Sequence, residues 1–270
     1  MEKIIVLGTG TASSINNYNT CFLLEDNNCD YLLVDTGGGN GILRQLKLAN
    51  IDINRIHNIF ISHKHIDHLF GMLWLYRFVD ISMSKGIYEG TLNIYCHDEV
   101  AKIIRDQIHI LLRDSQQRFL DKRIFINIVN DHELVPVLNY DLEFLDIYSK
   151  IAKQYGFKTK LNNGKTLAFL GDEPLDERLY DDIKNVDYFL HEAFCLETEA
   201  VKFKPKEKNH DTVKSASIKA RNVGAKNLIL WHTQENLGSK RKELYMQEAS
   251  ENFNGNIYIP NDLEIIFIEN

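Results

Sequence analysis

The sequence predicts an α/β fold of two β-sheets covered on their outer faces by helices. Two observations carry this. Short apolar runs of strand length are separated by segments with helical spacing, and the order of strands and helices in the first half returns in the second. A third bears on organisation. Only four prolines and no low-complexity linker interrupt the 270 residues, so one domain is expected over residues 1–270.

Residues 3–8 (Lys-Ile-Ile-Val-Leu-Gly) read as a buried first strand, stopped by Gly8-Thr9-Gly10-Thr11. A second strand, 20–24, meets the turn Asp26-Asn27-Asn28. A third, 31–34, is broken by Asp35-Thr36-Gly37-Gly38-Gly39. Strands joined by such short turns make a β-meander. Residues 41–50 read as a helix whose apolar side is Ile42, Leu43, Leu46 and Leu48. Residues 56–62 are strand-like, 71–80 helical, 91–96 a strand and 100–113 a helix. Strands follow at 125–129 and 142–148, with a loop before Leu134. Residues 155–160 and 166–170 form a hairpin across Asn162-Asn163-Gly164. A strand at 188–191 precedes a helix at 212–223 closed by Gly224. The chain ends with a strand at 228–231, a helix at 240–252, and strands at 256–259 and 263–268.

Hydrophobic residues make up 44% and charged residues 26%, which excludes a disordered, collagen-like or coiled-coil chain. The net charge of −7 argues against a dedicated nucleic-acid coat, which carries a basic stripe. A nucleic-acid enzyme with a local cationic pocket stays open. Cys21, Cys29, Cys96 and Cys195 lie far apart without a CxxC pair, as expected of reduced thiols in a cytoplasmic protein. No apolar run reaches ~18 residues, so no membrane span is expected. Met1-Glu2-Lys3 leads into the first strand without a signal-peptide layout.

The chemistry concentrates in His63-Lys64-His65-Ile66-Asp67-His68. Four metal-competent side chains fall within six residues at the end of a strand. Imidazole and carboxylate together suit zinc or a similar divalent ion. An extended His-x-His places both rings on one side. A following turn then swings Asp67 and His68 toward a neighbouring ion. His57, His97 and His109 have no partners at ligand spacing and read as structural.

HxHxDH after a strand resembles the metallo-β-lactamase-fold hydrolases. Leu7-Gly8-Thr9-Gly10-Thr11-Ala12 is similar to that family's opening loop, and Val34-Asp35-Thr36-Gly37 to its Asp-bearing strand end. Leu170-Gly171-Asp172 resembles the Gly-Asp of a bridging carboxylate. His191-Glu192-Ala193 and Leu230-Trp231-His232 resemble later motifs of the ribonuclease Z-like branch. The resemblance implies a four-layer αβ/βα sandwich with a dinuclear metal site. His63 and His65 would hold one ion, and Asp67, His68 and His232 the other, with Asp172 between them. A water shared by two ions ~3.5–4 Å apart is acidified into a nucleophile, which Asp67 would orient or deprotonate. Zinc is the default metal, with manganese and iron as alternatives.

One position departs from the family pattern. A third histidine is expected for the first ion, and the register Leu145-Asp146-Ile147-Tyr148-Ser149 puts Tyr148 there. Three readings follow: a phenolate ligand, a first ion held by His63, His65, Asp172 and water, or a loss of catalytic power. His132 is a further substitute, in a loop before Leu134.

His210 stands where similar proteins place a proton donor for the leaving oxygen, and Glu192 is the candidate to orient it. His191 reads as structural. The run Lys202-Phe203-Lys204-Pro205-Lys206-Glu207-Lys208 is locally basic and either attracts phosphate or is a solvated loop. Gly8-Thr9-Gly10-Thr11 is either an anion-binding loop or a plain tight turn. Trp74, Tyr76 and Phe78 would wall the cleft, with at least one of them in the core.

Long-form ribonuclease Z proteins carry an inserted arm between the third ligand and Gly-Asp. Here 24 positions separate Tyr148 from Asp172, which leaves room only for the hairpin. The expected activity is therefore metal-dependent hydrolysis of a phosphodiester or a similar small anionic ester, or of RNA. Two alternatives stand beside it. One is a metal-binding sensor or assembly partner with weakened catalysis. The other is a tRNA 3′-end endonuclease whose arm comes from a partner. Similar proteins form homodimers, although no residue of this sequence compels one.

Overall fold

A computed structural model describes residues 1–269. The first sheet starts as an antiparallel meander of β1 (Lys3–Gly8), β2 (Cys21–Glu25) and β3 (Tyr31–Val34). Three parallel strands extend it: β4 (Ile56–Phe60), β5 (Leu92–Cys96) and β6 (Ile124–Ile128). Parallel neighbours require crossovers. These contain α1 (Gly41–Leu48), α2 (Ile66–Leu69), α3 (Gly71–Ser84) and α4 (Asp98–Leu111).

The second sheet follows the same scheme. β7 (Leu134–Val137), β8 (Tyr140–Asp146), β9 (Tyr155–Lys160) and β10 (Thr166–Phe169) run antiparallel. β11 (Tyr188–Glu192), β12 (Asn227–Trp231) and β13 (Asn256–Tyr258) then add in parallel. The linking segments carry α5 (Ala200–Phe203), α6 (Val213–Val223) and α7 (Arg241–Ser250). The final strand, β14 (Ile265–Phe267), leaves this sheet and pairs with β1 in the first, Ile4 opposite Ile266.

Strand alternation sorts side chains into three apolar layers. Ile4, Val6, Phe22 and Phe60 meet Phe144, Phe157, Phe169 and Trp231 between the sheets. Phe22 and Trp231 approach to 4.9 Å between ring centroids. Ile5, Leu7, Leu33 and Ile59 point the other way onto α1, α3 and α4. Ala168, Phe189 and Leu228 face α6 and α7 on the far side. The expected sandwich of two sheets inside two helical layers is what the chain forms. The central strands are buried on both faces, so they read as continuous apolar runs.

The hairpin across Asn162-Asn163-Gly164 forms as expected, with Thr166 opposite Lys160. The loop expected before Leu134 forms, and residues 134–137, to which the sequence reading gave no element, are edge strand β7. Only Val137 of that strand is buried, and Pro136 lies at the sheet edge where no ladder donor is needed. The turn expected inside the histidine motif is the single helical turn α2.

Gly71 starts α3 against the end of β3. A Cβ there would lie 2.0 Å from the Thr36 carbonyl oxygen. Backbone cannot yield as a flexible side chain does. Gly71→Ala should destabilise the fold by ~1–3 kcal/mol, read as a lower urea midpoint with an unchanged slope.

Candidate metal centre

The site lies where strands of the two sheets end side by side. β4 delivers His63, whose backbone bridges to Gln154 just before β9. His65 is the residue before α2, and Asp67 and His68 sit within its one turn. The Thr36 backbone N–H and hydroxyl both donate to the His68 carbonyl, fixing that turn to the end of β3. β10 runs into Gly171-Asp172, and β12 into His232. His232 takes φ 54 and Asp35 φ 56, a left-handed conformation that costs a non-glycine residue ~1–2 kcal/mol. Both strained residues aim side chains at the cluster.

The structure brings six of the expected residues together. His63, His65 and Asp172 form one triad able to hold an ion, and Asp67, His68 and His232 a second. Asp172 faces both. Its Oδ1 lies 3.6 Å from His63 Nε2, and its Oδ2 3.4 Å from the Nε2 atoms of His68 and His232. Asp67 Oδ2 lies 3.5 Å from His68 Nε2 and 3.6 Å from His232 Nε2. These two Nε2 atoms are buried and make no hydrogen bond. Buried polar atoms without partners are rare in folded proteins. Carboxylates and unbonded imidazole nitrogens converging at such distances fit a divalent cation.

The charges agree. Burial alone would raise the Asp172 carboxyl, but His63, His68 and His232 hold it well below the usual carboxylate range. Burial likewise opposes ionisation of Asp67, and His68 and His232 overcome it. Both carboxylates are therefore charged at neutral pH. Burial drives His63 well below the ordinary histidine value, leaving it neutral, as a ligand must be. Asp67, Asp35 and Asp172 instead overcome burial and hold His68 well above that value, so His68 gives up a proton when a cation binds.

Asp35 was visible only as part of the Asp-bearing strand end. It accepts from His68 Nδ1 at 2.7 Å, from the Ser62 backbone N–H at 2.8 Å and from the Ser62 hydroxyl. With Nδ1 donating, His68 directs Nε2 at the site. Asp35→Ala should weaken metal affinity ~10–100-fold, measured by competition with a chromogenic chelator.

Tyr148 is not drawn into this cluster. β8 ends at Asp146, and Tyr148 takes φ 58. Its ring packs on the outer apolar layer, with the Arg178 guanidinium carbon 3.8 Å from the ring centroid. The residue brought to the first triad is instead Gln154, completely buried. Its Nε2 donates to Asp172 Oδ1 at 2.7 Å, and its Oε1 accepts from the Asp172 backbone N–H at 2.8 Å. Nothing in Lys153-Gln154-Tyr155 marks it from sequence alone. His132 bonds Glu143 instead.

His210 precedes α6 and lines the cleft above the cluster. Its Nδ1 donates to the Asp172 carbonyl at 2.9 Å, which leaves Nε2 as the ring nitrogen open to the cleft. Glu192 Oε2 is 3.7 Å from Nδ1, and the other carboxyl oxygen accepts from the Asp211 backbone N–H. Burial pushes His210 down to about 4 and Glu192 well above its ordinary value. Phe194 stacks on His210 with centroids 4.5 Å apart. His191 is structural, donating to the Glu192 carbonyl and accepting from the Leu175 N–H.

The cleft has a volume of about 440 Å³, and Thr11, Ser13, Lys64, Lys208 and Gln234 complete its walls. Lys208 is the member of the lysine run that lines it. The Gly10 N–H donates to the Tyr18 carbonyl, so that loop amide is not open to an anion. Tyr76 is core, Trp74 is exposed, and neither they nor Phe78 wall the cleft. His57, His97 and His109 lie outside the cluster, as expected.

Fold and site together define a metallo-β-lactamase-fold, metal-dependent hydrolase. Its solved neighbours agree on the fold. The metallo-β-lactamase-fold protein YhfI from Bacillus subtilis superposes with a TM-score of 0.78 at 20% identity, covering 98% of each chain. The short form of human tRNase Z gives 0.75 at 19% identity, covering 99% of each chain. A ribonuclease Z of Archaeoglobus fulgidus is 24% identical, over 99% of each chain. The chain belongs to the family described as Anti-Pycsar protein Apyc1, whose profile matches residues 2–207.

Proposed function

We propose that the chain hydrolyses small phosphodiesters with two divalent ions, residues 1–270 acting as one metallo-β-lactamase-like domain. One observation carries this reading. The two oxygens of Asp172 face separate triads, beside buried imidazole nitrogens that bond nothing. Ions bound there, zinc by default, would acidify a shared water and neutralise charge on the phosphoryl oxygens. His63, His65, Asp67, His68, Asp172 and His232 are the proposed ligands. Asp67 also orients the attacking water. His210, in its imidazolium form, gives its Nε2 proton to the departing oxygen, because an alkoxide leaves poorly, and keeps the Nδ1 proton on the Asp172 carbonyl. Glu192 is a positioning residue, holding the Asp211 backbone and thereby the segment that carries His210.

The cleft volume falls in the range of small-molecule sites, and Lys208 supplies a cationic wall for an anionic ester, while the Lys64 ammonium is paired with Glu99 at 2.9 Å. RNA is the second reading, supported by relatives named ribonuclease Z. Against it stands the stretch from Tyr148 to Asp172, which contains β9 and β10 within the sheet and no projecting arm. Four cysteines in no disulfide support a reduced, cytoplasmic setting. No helix among the described residues is long and apolar enough to cross a membrane. A homodimer would cover the half-exposed Phe70 and Trp74 of the α2–α3 region.

The test compares metal-loaded and chelator-stripped protein on bis(p-nitrophenyl) phosphate, a dinucleotide and a pre-tRNA transcript. We expect metal-dependent turnover of the small diesters and little cleavage of the transcript. Efficient 3′-end cleavage with inert small diesters would reverse the order of the two readings. Metal bound without any turnover would favour a sensor.

A further inference from the structure

We infer that the two metal positions are unequal, one holding a resident ion and the other an exchangeable one, and that Gln154 sets the difference. The inference rests on the hydrolase reading above.

The second position has four protein donors free to point inward: Asp67 Oδ2, His68 Nε2, His232 Nε2 and Asp172 Oδ2. Both imidazole nitrogens are unbonded, and Asp35 fixes the ring of His68 from behind. Four protein donors satisfy a tetrahedral ion without outside help.

The first position is poorer. His63 Nε2 and His65 Nδ1 lie 2.9 Å apart in a hydrogen bond with each other, which an ion would have to displace. The third donor, Asp172 Oδ1, already accepts the Gln154 amide at 2.7 Å. That amide turns its nitrogen toward the shared carboxylate, while its oxygen is held by the Asp172 backbone N–H. Its nitrogen, as an amide, has no lone pair to give. Gln154 thus occupies the flank of the first position, draws electron density from the shared carboxylate and contributes no ligand.

The arrangement is built into the backbone. Gly171 has φ +67, and a Cβ there would lie 1.7 Å from Gln154 Oε1. The chain keeps a side chain out of this position and the amide fills the space. The consequence is a centre that retains one ion through dialysis and gains the second only when free metal is abundant.

Stepwise titration of the stripped protein with buffered Zn²⁺, read by elemental analysis after gel filtration, tests this without any turnover measurement. We expect a plateau at one ion per chain and a second ion only at ~10-fold or higher free zinc, the scale on which one polar group tunes metal affinity. His65→Ala should keep the first plateau, and His232→Ala should abolish it. Gln154→His, which supplies an imidazole, should bring the second step ~10-fold closer to the first. Gln154→Glu serves the same purpose if the histidine variant does not fold. Two ions entering in a single step, or a second step unmoved in a folded Gln154 variant, would overturn the inference and leave the hydrolase reading standing. A wild-type chain that binds no zinc at all would instead remove the reading beneath it.

Discussion

Asp172→Asn is expected to reduce phosphodiester hydrolysis at least about a thousandfold, or ~4 kcal/mol of transition-state stabilisation, and to lower bound metal together with it. Among the described residues the carboxylate is the one group that faces both triads, with Oδ1 toward His63 and Oδ2 toward His68 and His232. An amide of the same shape keeps the packing but loses the charge, and its nitrogen turns a donor toward imidazoles already aimed inward. Circular dichroism should be unchanged while metal content falls below the wild-type value. A variant that keeps its metal and turns over within about tenfold of wild type would show that Asp172 is a structural turn carboxylate.

His210→Ala is expected to cost ~10²–10⁴ in kcat, but only where the leaving group needs a proton. A methyl or ribosyl oxygen departs as a strongly basic alkoxide, so hydrolysis of such diesters depends on the donor. p-Nitrophenolate leaves without help, and the same variant should retain most of its rate on bis(p-nitrophenyl) phosphate. Burial, reinforced by the neighbouring His232, pushes His210 down to about 4. Its protonated fraction therefore falls tenfold for each pH unit above that value. In the wild type, the ratio of alkyl-diester to nitrophenyl-diester kcat/KM should fall as pH rises from about 5 to about 8. Equal losses on both substrates would make His210 a wall of the cleft, not a proton donor.

Much of the frame was legible because the strands are short, apolar and bounded by turn residues. The meander, the Asn162-Asn163-Gly164 hairpin and the Gly224 helix stop each follow from local chemistry. The histidine motif was legible because four competent side chains share six positions. Gln154 was not. Its role depends on residues 147–153 turning away from β8 and returning beside His63, a path no local pattern announces. Counting along β8 placed Tyr148 at the site, but the strand ends two residues earlier and the left-handed turn at Tyr148 redirects the chain. β7 escaped notice because an edge strand with one buried side chain needs no alternating pattern.

The pairing of β14 with β1 has a consequence for biosynthesis. All six proposed ligands have been translated by residue 232, yet β1 cannot acquire its outer neighbour until residues 265–267 leave the ribosome. At ~5–20 residues per second, the nascent chain spends seconds with both sheets largely assembled and the open flank of β1 available to another chain. Emergence of residues 265–267 seals that flank. Truncations or stalls upstream of Ile265 should therefore yield aggregates before they yield a merely inactive enzyme.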